Sequence, residues 1–374
     1  MIKVDLIVGA RPNFMKIAPI IHAIDNANKT EHHIKYRLIH TGQHYDANMS
    51  DTFFEQLQIP KPHYNLNIGS GTQAEQTGGI MMGYERLITD EKADLCVVVG
   101  DVTSTMACAI TAKKMLIPVA HIEGGIRSGD WTMPEEVNRI VTDSITNYFF
   151  TTSQVANDNL KRSGFNDKDI FFVGNTMIDT LLKNRPRFSK PEIWGLLDLK
   201  EGEFIVITLH RPANVDEESK LKTMIDEIVS HSQNLPLIFP VHPRSAKIIS
   251  NLGISHPRLH MIDPMGYLEF NYLVERSKAV VTDSGGITEE ATVLGVPCMT
   301  LRDNTERPET ITIGTNELLG TDPIAIKPAM EKLFSGKWKK GNIPEKWDGK
   351  TGDRIIKIVC ELLSPVFNNA TISY

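Results

Sequence analysis

Carboxylates, histidines and arginines recur just after short apolar runs in this 374-residue chain. Asp101 follows Val97-Val98-Val99-Gly100, and Glu123 follows Val119-Ala120-His121-Ile122. A charge at the mouth of a buried strand is costly unless it serves a ligand, so both are candidate acid/base groups. Glu135 and Glu136 follow at the start of a segment opened by Pro134. For these two, a carboxylate favoured by a helix N-terminus competes with a catalytic role. His210 stands after Val206-Ile207-Thr208-Leu209 and His242 directly after Val241. Either histidine alone is more often structural, but two at strand ends of one sheet are less ordinary.

A second group of residues suits an anion. Asp283-Ser284-Gly285-Gly286-Ile287-Thr288-Glu289-Glu290 follows an apolar run and opens a helical pattern. Ser284, Gly285 and Gly286 would leave backbone N–H groups bare at a helix N-terminus, where orphan donors and the dipole favour phosphate. Glu290, about a turn later, is placed to accept from ribose hydroxyls. A capped helix with a tight glycine turn is the competing reading. Gly9-Ala10-Arg11-Pro12-Asn13-Phe14-Met15-Lys16 repeats the strand-to-helix pattern and offers two cations, of which Arg11 can fork onto a phosphate. Arg307 lies in a third such loop, Leu301 to Glu309, although a single arginine is usually a solvated surface charge. The nearest imitation of a dinucleotide fingerprint, Gly69-Ser70-Gly71-Thr72, lacks its third glycine, and no Walker sequence occurs.

These residues need a scaffold that gathers strand ends. Apolar runs at 4–9, 34–40, 95–100, 118–122, 148–152 and 170–173 alternate with helical patterns at 16–28, 104–116 and 134–146. The stretch from Leu182 to Gly202 breaks the pattern. A second series follows, with runs at 204–209, 236–241, 259–262, 279–282 and 297–300. The class is α/β, with two Rossmann-like domains of parallel strands in tandem. The first domain is expected over 1–182 and the second over 183–351, with a C-terminal helix from about 352 to 374 packing back on the first. Length agrees, since single hydrophobic cores stop growing near ~250–300 residues.

Net charge is −6, which gives no footprint for nucleic acid but leaves room for a local basic pocket that binds one diphosphate. The four cysteines are scattered without Cys-x-x-Cys spacing and read as reduced thiols in the cytoplasm. The first residues, Met1 to Gly9, are too short and too charged for a signal peptide or membrane span and read as a buried strand. No His-x-x-x-His or cysteine pair suggests a metal, and no cofactor is expected.

Taken together, these motifs resemble the non-hydrolysing UDP-N-acetylglucosamine 2-epimerases over nearly the whole chain. The matching stretches are Gly9 to Lys16, Thr41-Gly42-Gln43-His44, Gly100 to Thr105, His121-Ile122-Glu123, Met133 to Arg139, His210-Arg211, Asp283 to Glu290 and Arg302 to Glu309. The resemblance implies a glycosyltransferase-B-like architecture, a homodimer and an interdomain cleft that closes over a UDP-sugar. It implies that Arg11, Ser284, Gly285, Gly286, Glu290 and Arg307 hold UDP with His242 nearby, and that Lys16, Asp101, Glu123, Glu135 and His210 surround the sugar and leaving group. The implied reaction eliminates UDP to give 2-acetamidoglucal and re-adds it with protonation on the other face.

Two departures stand out. Relatives commonly carry alanine after the glutamate, where this chain has Glu123-Gly124, and bacterial relatives hold an activating second substrate partly through residues replaced here by Asp46 and the stretch Gly69 to Thr72. Altered or absent activation by that route is therefore expected. Alternatives are the same epimerisation on a UDP-linked 2,3-diacetamido uronic acid, a hydrolysing epimerase, a glycosyltransferase of the same fold, and a sensor that binds UDP-sugar without turnover.

Overall fold

The computed structural model describes residues 1–29, 33–42, 51–241, 249 and 252–364. The chain forms two compact units, 1–180 with 345–374 and 181–344, and the division falls within the helix Thr176–Asn184.

The first unit is built on seven parallel strands: β1 (Ile2–Val8), β2 (Ile34–His40), β3 (Tyr64–Asn65), β4 (Leu95–Val99), β5 (Val119–Ile122), β6 (Tyr148–Thr151) and β7 (Ile170–Phe172). Their order is β3-β2-β1-β4-β5-β6-β7. Strands of a parallel sheet are covered on both faces, which is why they read as continuous apolar runs. All five residues of β4 and all four of β5 are buried. A charge inside such a strand must be matched: Asp5 of β1 accepts from Arg37 at 2.7 and 2.9 Å and from the Tyr84 hydroxyl at 2.9 Å.

The second unit has six parallel strands: β8 (Ile205–Thr208), β9 (Leu237–Pro240), β10 (Leu259–Ile262), β11 (Ala279–Thr282), β12 (Cys298–Thr300) and β13 (Asn316–Leu318), ordered β10-β9-β8-β11-β12-β13. In each sheet the winding reverses once, at β1/β4 in the first and at β8/β11 in the second. The crevice outside the strand ends at such a switch point is where open α/β sheets collect ligands.

The C-terminal segment returns to the first unit at Glu345 rather than near 352. Trp347 explains the earlier return: it is buried, and its indole N–H donates to the Thr152 carbonyl at 3.1 Å. The helix Thr351–Leu362 then packs on the helix Arg11–Ala27. Their approach is so close at Gly352 that an added Cβ would lie 2.6 Å from the Pro19 carbonyl oxygen. Short edge strands β3 and β13 and the helix Gln73–Asp90 have no counterpart in the sequence reading. The Gly69-Ser70-Gly71 stretch leads into that helix, whose N-cap Thr72 forms a capping box with Glu75. All four cysteines are buried and unbridged. Among the described residues no helix is long and apolar enough to cross a membrane.

Candidate active site

In the first unit the chemistry gathers behind β4 and β5. Gly100 turns the chain out of β4 with a φ of 71°, a left-handed conformation that glycine adopts without strain. Asp101 follows, and Glu123 leaves β5 with a φ of 71° as well. A non-glycine residue held in that region carries backbone strain, which concentrates at functional sites. Glu123 is 3% exposed, and its Oε2 accepts from Lys16 Nζ at 2.7 Å. A Cβ at Gly100 would stand 3.3 Å from Lys16 Nζ and 3.8 Å from Glu123 Oε2, so the turn lies against this ion pair. Lys16 reaches it from the helix Arg11–Ala27, whose start is fixed by Asn13. The Asn13 carbonyl accepts from the Gly9 and Ala10 amides at 3.2 and 2.9 Å, and its amide donates to the Val99 carbonyl at 3.1 Å. One side chain thus ties the turn after β1 to the end of β4.

Asp101 is gripped by the helix Pro134–Ile145. Arg139 donates to its carboxylate at 2.5 Å, and Asn138 donates to its backbone carbonyl at 2.8 Å. The Arg139 guanidinium also donates to Glu136 at 2.6 Å. Glu136 in turn accepts from the Ser128 and Gly129 amides at 3.0 and 2.9 Å. Burial pushes the Glu136 carboxyl up, but those amides and Arg139 outweigh it and hold it below the ordinary glutamate range. Glu136 therefore braces the 128–129 loop, while the side chain of its neighbour Glu135, half-buried in the first helical turn, makes no hydrogen bond or ion pair among the described residues. Arg11 lies over the Phe53 ring at 5.1 Å.

In the second unit the centre is Asp283, fully buried at the end of β11. It accepts from the His210 and Arg211 amides at 3.1 and 3.0 Å, from Asn214 at 3.0 Å and from His210 Nδ1 at 2.7 Å. Burial raises its carboxyl, yet His210 and the other donors win and hold it below the usual aspartate value. With Nδ1 engaged, the His210 ring turns outward, its side chain 63% exposed. A carboxylate that fixes one ring nitrogen fixes the tautomer and orientation of the other.

Ser284 is the N-cap of the helix Gly285–Leu294, and its own amide donates to Thr282 Oγ1 at 3.0 Å. The nearest side-chain atom to a Cβ placed on Gly285 would be Arg302 Nη1 at 3.9 Å, so the helix start is open to a bulky anion. Arg302 is held bidentate by Glu306 at 2.7 and 2.8 Å, and Arg307 donates through Nε to Glu289. Glu290 accepts from the Tyr267 hydroxyl at 2.7 Å. Burial, with Glu289 nearby, pushes its carboxyl up to about 7 despite the bonds from Tyr267 and Asn271. Glu309 is buried with neither carboxylate oxygen hydrogen-bonded among the described residues, and burial pushes it up to about 7 as well.

The shift at Glu290 has a testable sign. Its folded pKa lies above the unfolded value of 4.5, so the folded state keeps a proton that the unfolded chain releases between pH 4.5 and about 7. Stability from this group is therefore full below pH 4.5 and falls until pH passes about 7. Glu290→Gln, which keeps an acceptor for Tyr267, is expected to stabilise the full chain at pH 8 by on the order of 1–3 kcal/mol and to change little at pH 5. Urea unfolding at both pH values, followed through the amides of β8 and β11, measures it, and an equal effect at both contradicts a buried neutral acid.

The sequence-chosen residues thus fall into two sets. Lys16, Asp101 and Glu123 surround the turns after β4 and β5, with Glu135 on the helix that holds Asp101. His210, Ser284, Gly285, Gly286, Glu290 and Arg307 surround the turns after β8, β11 and β12. His242 lies outside the described residues, as do Gln43, His44 and Asp46. Asn13, His121, Arg139, Asp143, Tyr267 and Asp283 were not singled out as site residues, because each acts through a partner distant in the chain. Among the described residues no group of three or more His, Cys, Asp or Glu side chains is arranged to hold a metal ion.

The sequence profile of the UDP-N-acetylglucosamine 2-epimerase family matches residues 26–360. The chain is 41% identical to the UDP-N-acetylglucosamine 2-epimerase of Methanocaldococcus jannaschii, over 96% of this chain and 98% of that protein. It is 43% identical to the UDP-2,3-diacetamido-2,3-dideoxy-D-glucuronate 2-epimerase of Pseudomonas aeruginosa, over 85% and 88%. A crystal structure of the Methanocaldococcus jannaschii enzyme in complex with UDP-GlcNAc and UDP aligns with a TM-score of 0.85 at 40% identity, covering 96% of this chain and 100% of that one.

Proposed function

The chain belongs to the UDP-N-acetylglucosamine 2-epimerase family, and from that premise we propose that it interconverts UDP-N-acetylglucosamine and UDP-N-acetylmannosamine without hydrolysis. The observation that carries the reading is the buried Lys16–Glu123 ion pair set against the Gly100–Asp101 turn at the switch point of a parallel sheet.

The C2 proton of such a sugar is not adjacent to a carbonyl, so a base alone is too weak to remove it. Breaking the C1–O bond to UDP builds positive charge at C1 and acidifies C2–H. A carboxylate takes the proton, the C2–H electron pair forms the C1–C2 double bond, and UDP departs with the C1–O pair. Re-addition of UDP at C1 and delivery of a proton to the opposite face of C2 closes the cycle, with no net redox change. Two faces require at least two acid/base positions, for which Asp101, Glu123 and Glu135 are the candidates. Lys16 orients Glu123 and adds positive charge beside it. The helix start at Ser284-Gly285-Gly286, with Arg11 and Arg307, stabilises the diphosphate as it leaves, and Glu290 accepts from the ribose. His210, oriented by Asp283, presents its outer nitrogen to the leaving group. In this reading the enzyme is a cytosolic homodimer.

Proton NMR of UDP-N-acetylglucosamine with the enzyme in heavy water tests the proposal. UDP-N-acetylmannosamine carrying deuterium at C2 is the expected product. Substrate that stays unchanged with C2–H intact refutes it, and free N-acetylmannosamine would signify hydrolysis. The Pseudomonas aeruginosa relative favours a second reading, 2-epimerisation of a UDP-linked 2,3-diacetamido uronic acid. Deuterium incorporation into that sugar and not into UDP-N-acetylglucosamine would select it.

A further inference from the structure

We propose that His121 is a buried imidazolium, protonated on both ring nitrogens, that acts as a positioning residue for the Gly100–Asp101 turn. His121 is wholly buried on β5. Its Nε2 lies 2.8 Å from the Gly100 carbonyl oxygen and its Nδ1 lies 2.7 Å from Asp143 Oδ1. A carbonyl oxygen only accepts, so Nε2 carries a hydrogen. Asp143 already accepts from the Gly125 amide at 3.0 Å and from Arg127 at 2.6 Å, both at Oδ2. With an amide and a guanidinium both donating to Oδ2, Asp143 is a carboxylate, so its Oδ1 too is an acceptor. Nδ1 must then carry the second hydrogen. Either neutral tautomer would press a nitrogen lone pair against an oxygen lone pair at hydrogen-bond distance.

The charged groups facing this ring come from three directions. The helix Pro134–Ile145 supplies Asp143, and the loop after β5 supplies Arg127. Beyond the Gly100 turn stand Lys16 and Glu123. The same helix also holds the Asp101 carbonyl through Asn138 and the Asp101 carboxylate through Arg139. One helix therefore fixes the turn at three points, two directly and the third through the Asp143–His121 pair. The third point brings positive charge close to the carboxylates that carry proton transfer. Loss of that charge makes those carboxylates harder to ionise.

The protonation half stands independently of the reaction; the positioning half rests on the epimerase reading. On full-length enzyme with 15N-labelled histidine at pH 7.5, long-range 1H–15N correlation is expected to give one ring with both nitrogens in the imidazolium range, absent in His121→Gln. A lost ring with one bare nitrogen overturns the imidazolium. Should His121→Gln fail to fold, Asp143→Asn replaces it, with the same ring expected to revert to a neutral tautomer and an unchanged ring counting against the proposal. For the folded variant, kcat is expected to fall on the order of 10–100-fold with KM nearly unchanged. The acidic limb of its kcat–pH profile is expected to move to higher pH. A parallel rise in KM, or an unmoved limb, would reduce His121 to a structural role. Failure of deuterium exchange in the wild-type protein would sink the epimerase reading while leaving the NMR assignment intact.

Discussion

Glu123→Gln is expected to lower kcat for C2 deuterium exchange by on the order of 10²–10⁴-fold while the fold is retained, because general acid/base groups contribute that much. The substitution isolates the chemistry for a structural reason. Glu123 holds a left-handed φ of 71°, and glutamine bears the same strain there, so the backbone term cancels between the two proteins. Glutamine also fills the same volume and still offers an oxygen to Lys16 at the site of the 2.7 Å contact. What is lost is the ability to take a proton. UDP binding, measured by calorimetry, is expected to stay within a few-fold, since Glu123 is not among the groups proposed to hold the diphosphate. Turnover retained within about tenfold would move the base to Asp101 or Glu135. Lost UDP affinity would point to a nucleotide role instead.

Asp283→Ala has the larger consequence for stability. The carboxylate is fully buried and serves the His210 and Arg211 amides, Asn214 and the His210 ring. Removing it takes one acceptor from the buried Asn214 amide, unties the part-buried His210 and Arg211 amides and strips the exposed His210 ring of its partner, and losses of this kind cost roughly 1–3 kcal/mol. Hydrogen exchange on the full chain is the suitable measure, since two units need not unfold in a single step. Amides of β8 and β11 are expected to lose protection while those of β1 and β4 hold theirs. Uniform loss across both sheets would contradict a local anchor.

The pH dependence carries its own sign. A depressed folded pKa gives stability that is fully present above the ordinary aspartate value and is lost as pH falls through the folded one. The variant is therefore expected to lack that part of the wild-type acid sensitivity.

Much of this was legible in the linear chain because parallel strands announce themselves. The runs ending at Val99, Ile122, Thr208 and Thr282 are apolar apart from His121 and the two closing threonines since both faces of each strand are covered, and the polar residues within two positions after each mark the functional edge. Asp101, Glu123, His210 and Ser284 followed from that rule. The short strands β3 and β13 escaped it: β3 is two exposed residues, and β13 buries only Asn316 fully, so neither offers an apolar run.

Tertiary structure alone decided which charges are paired and what each pairing does. Nothing in the order of residues tells that Lys16 meets Glu123, that Arg307 meets Glu289, or that Glu136 braces a loop while the Glu135 side chain beside it makes no hydrogen bond among the described residues. It also could not reveal that His121, an apparent spacer between two apolar residues, has an acceptor at each ring nitrogen. The reason is physical. Local sequence sets backbone conformation and burial through period and turn chemistry, whereas hydrogen bonding at strand ends joins residues dozens of positions apart. Those partners exist only once the sheet order β1-β4-β5 has brought their turns side by side. The sequence determined where charge would stand; the fold decided its partner, and with it the protonation state and the work that charge can do.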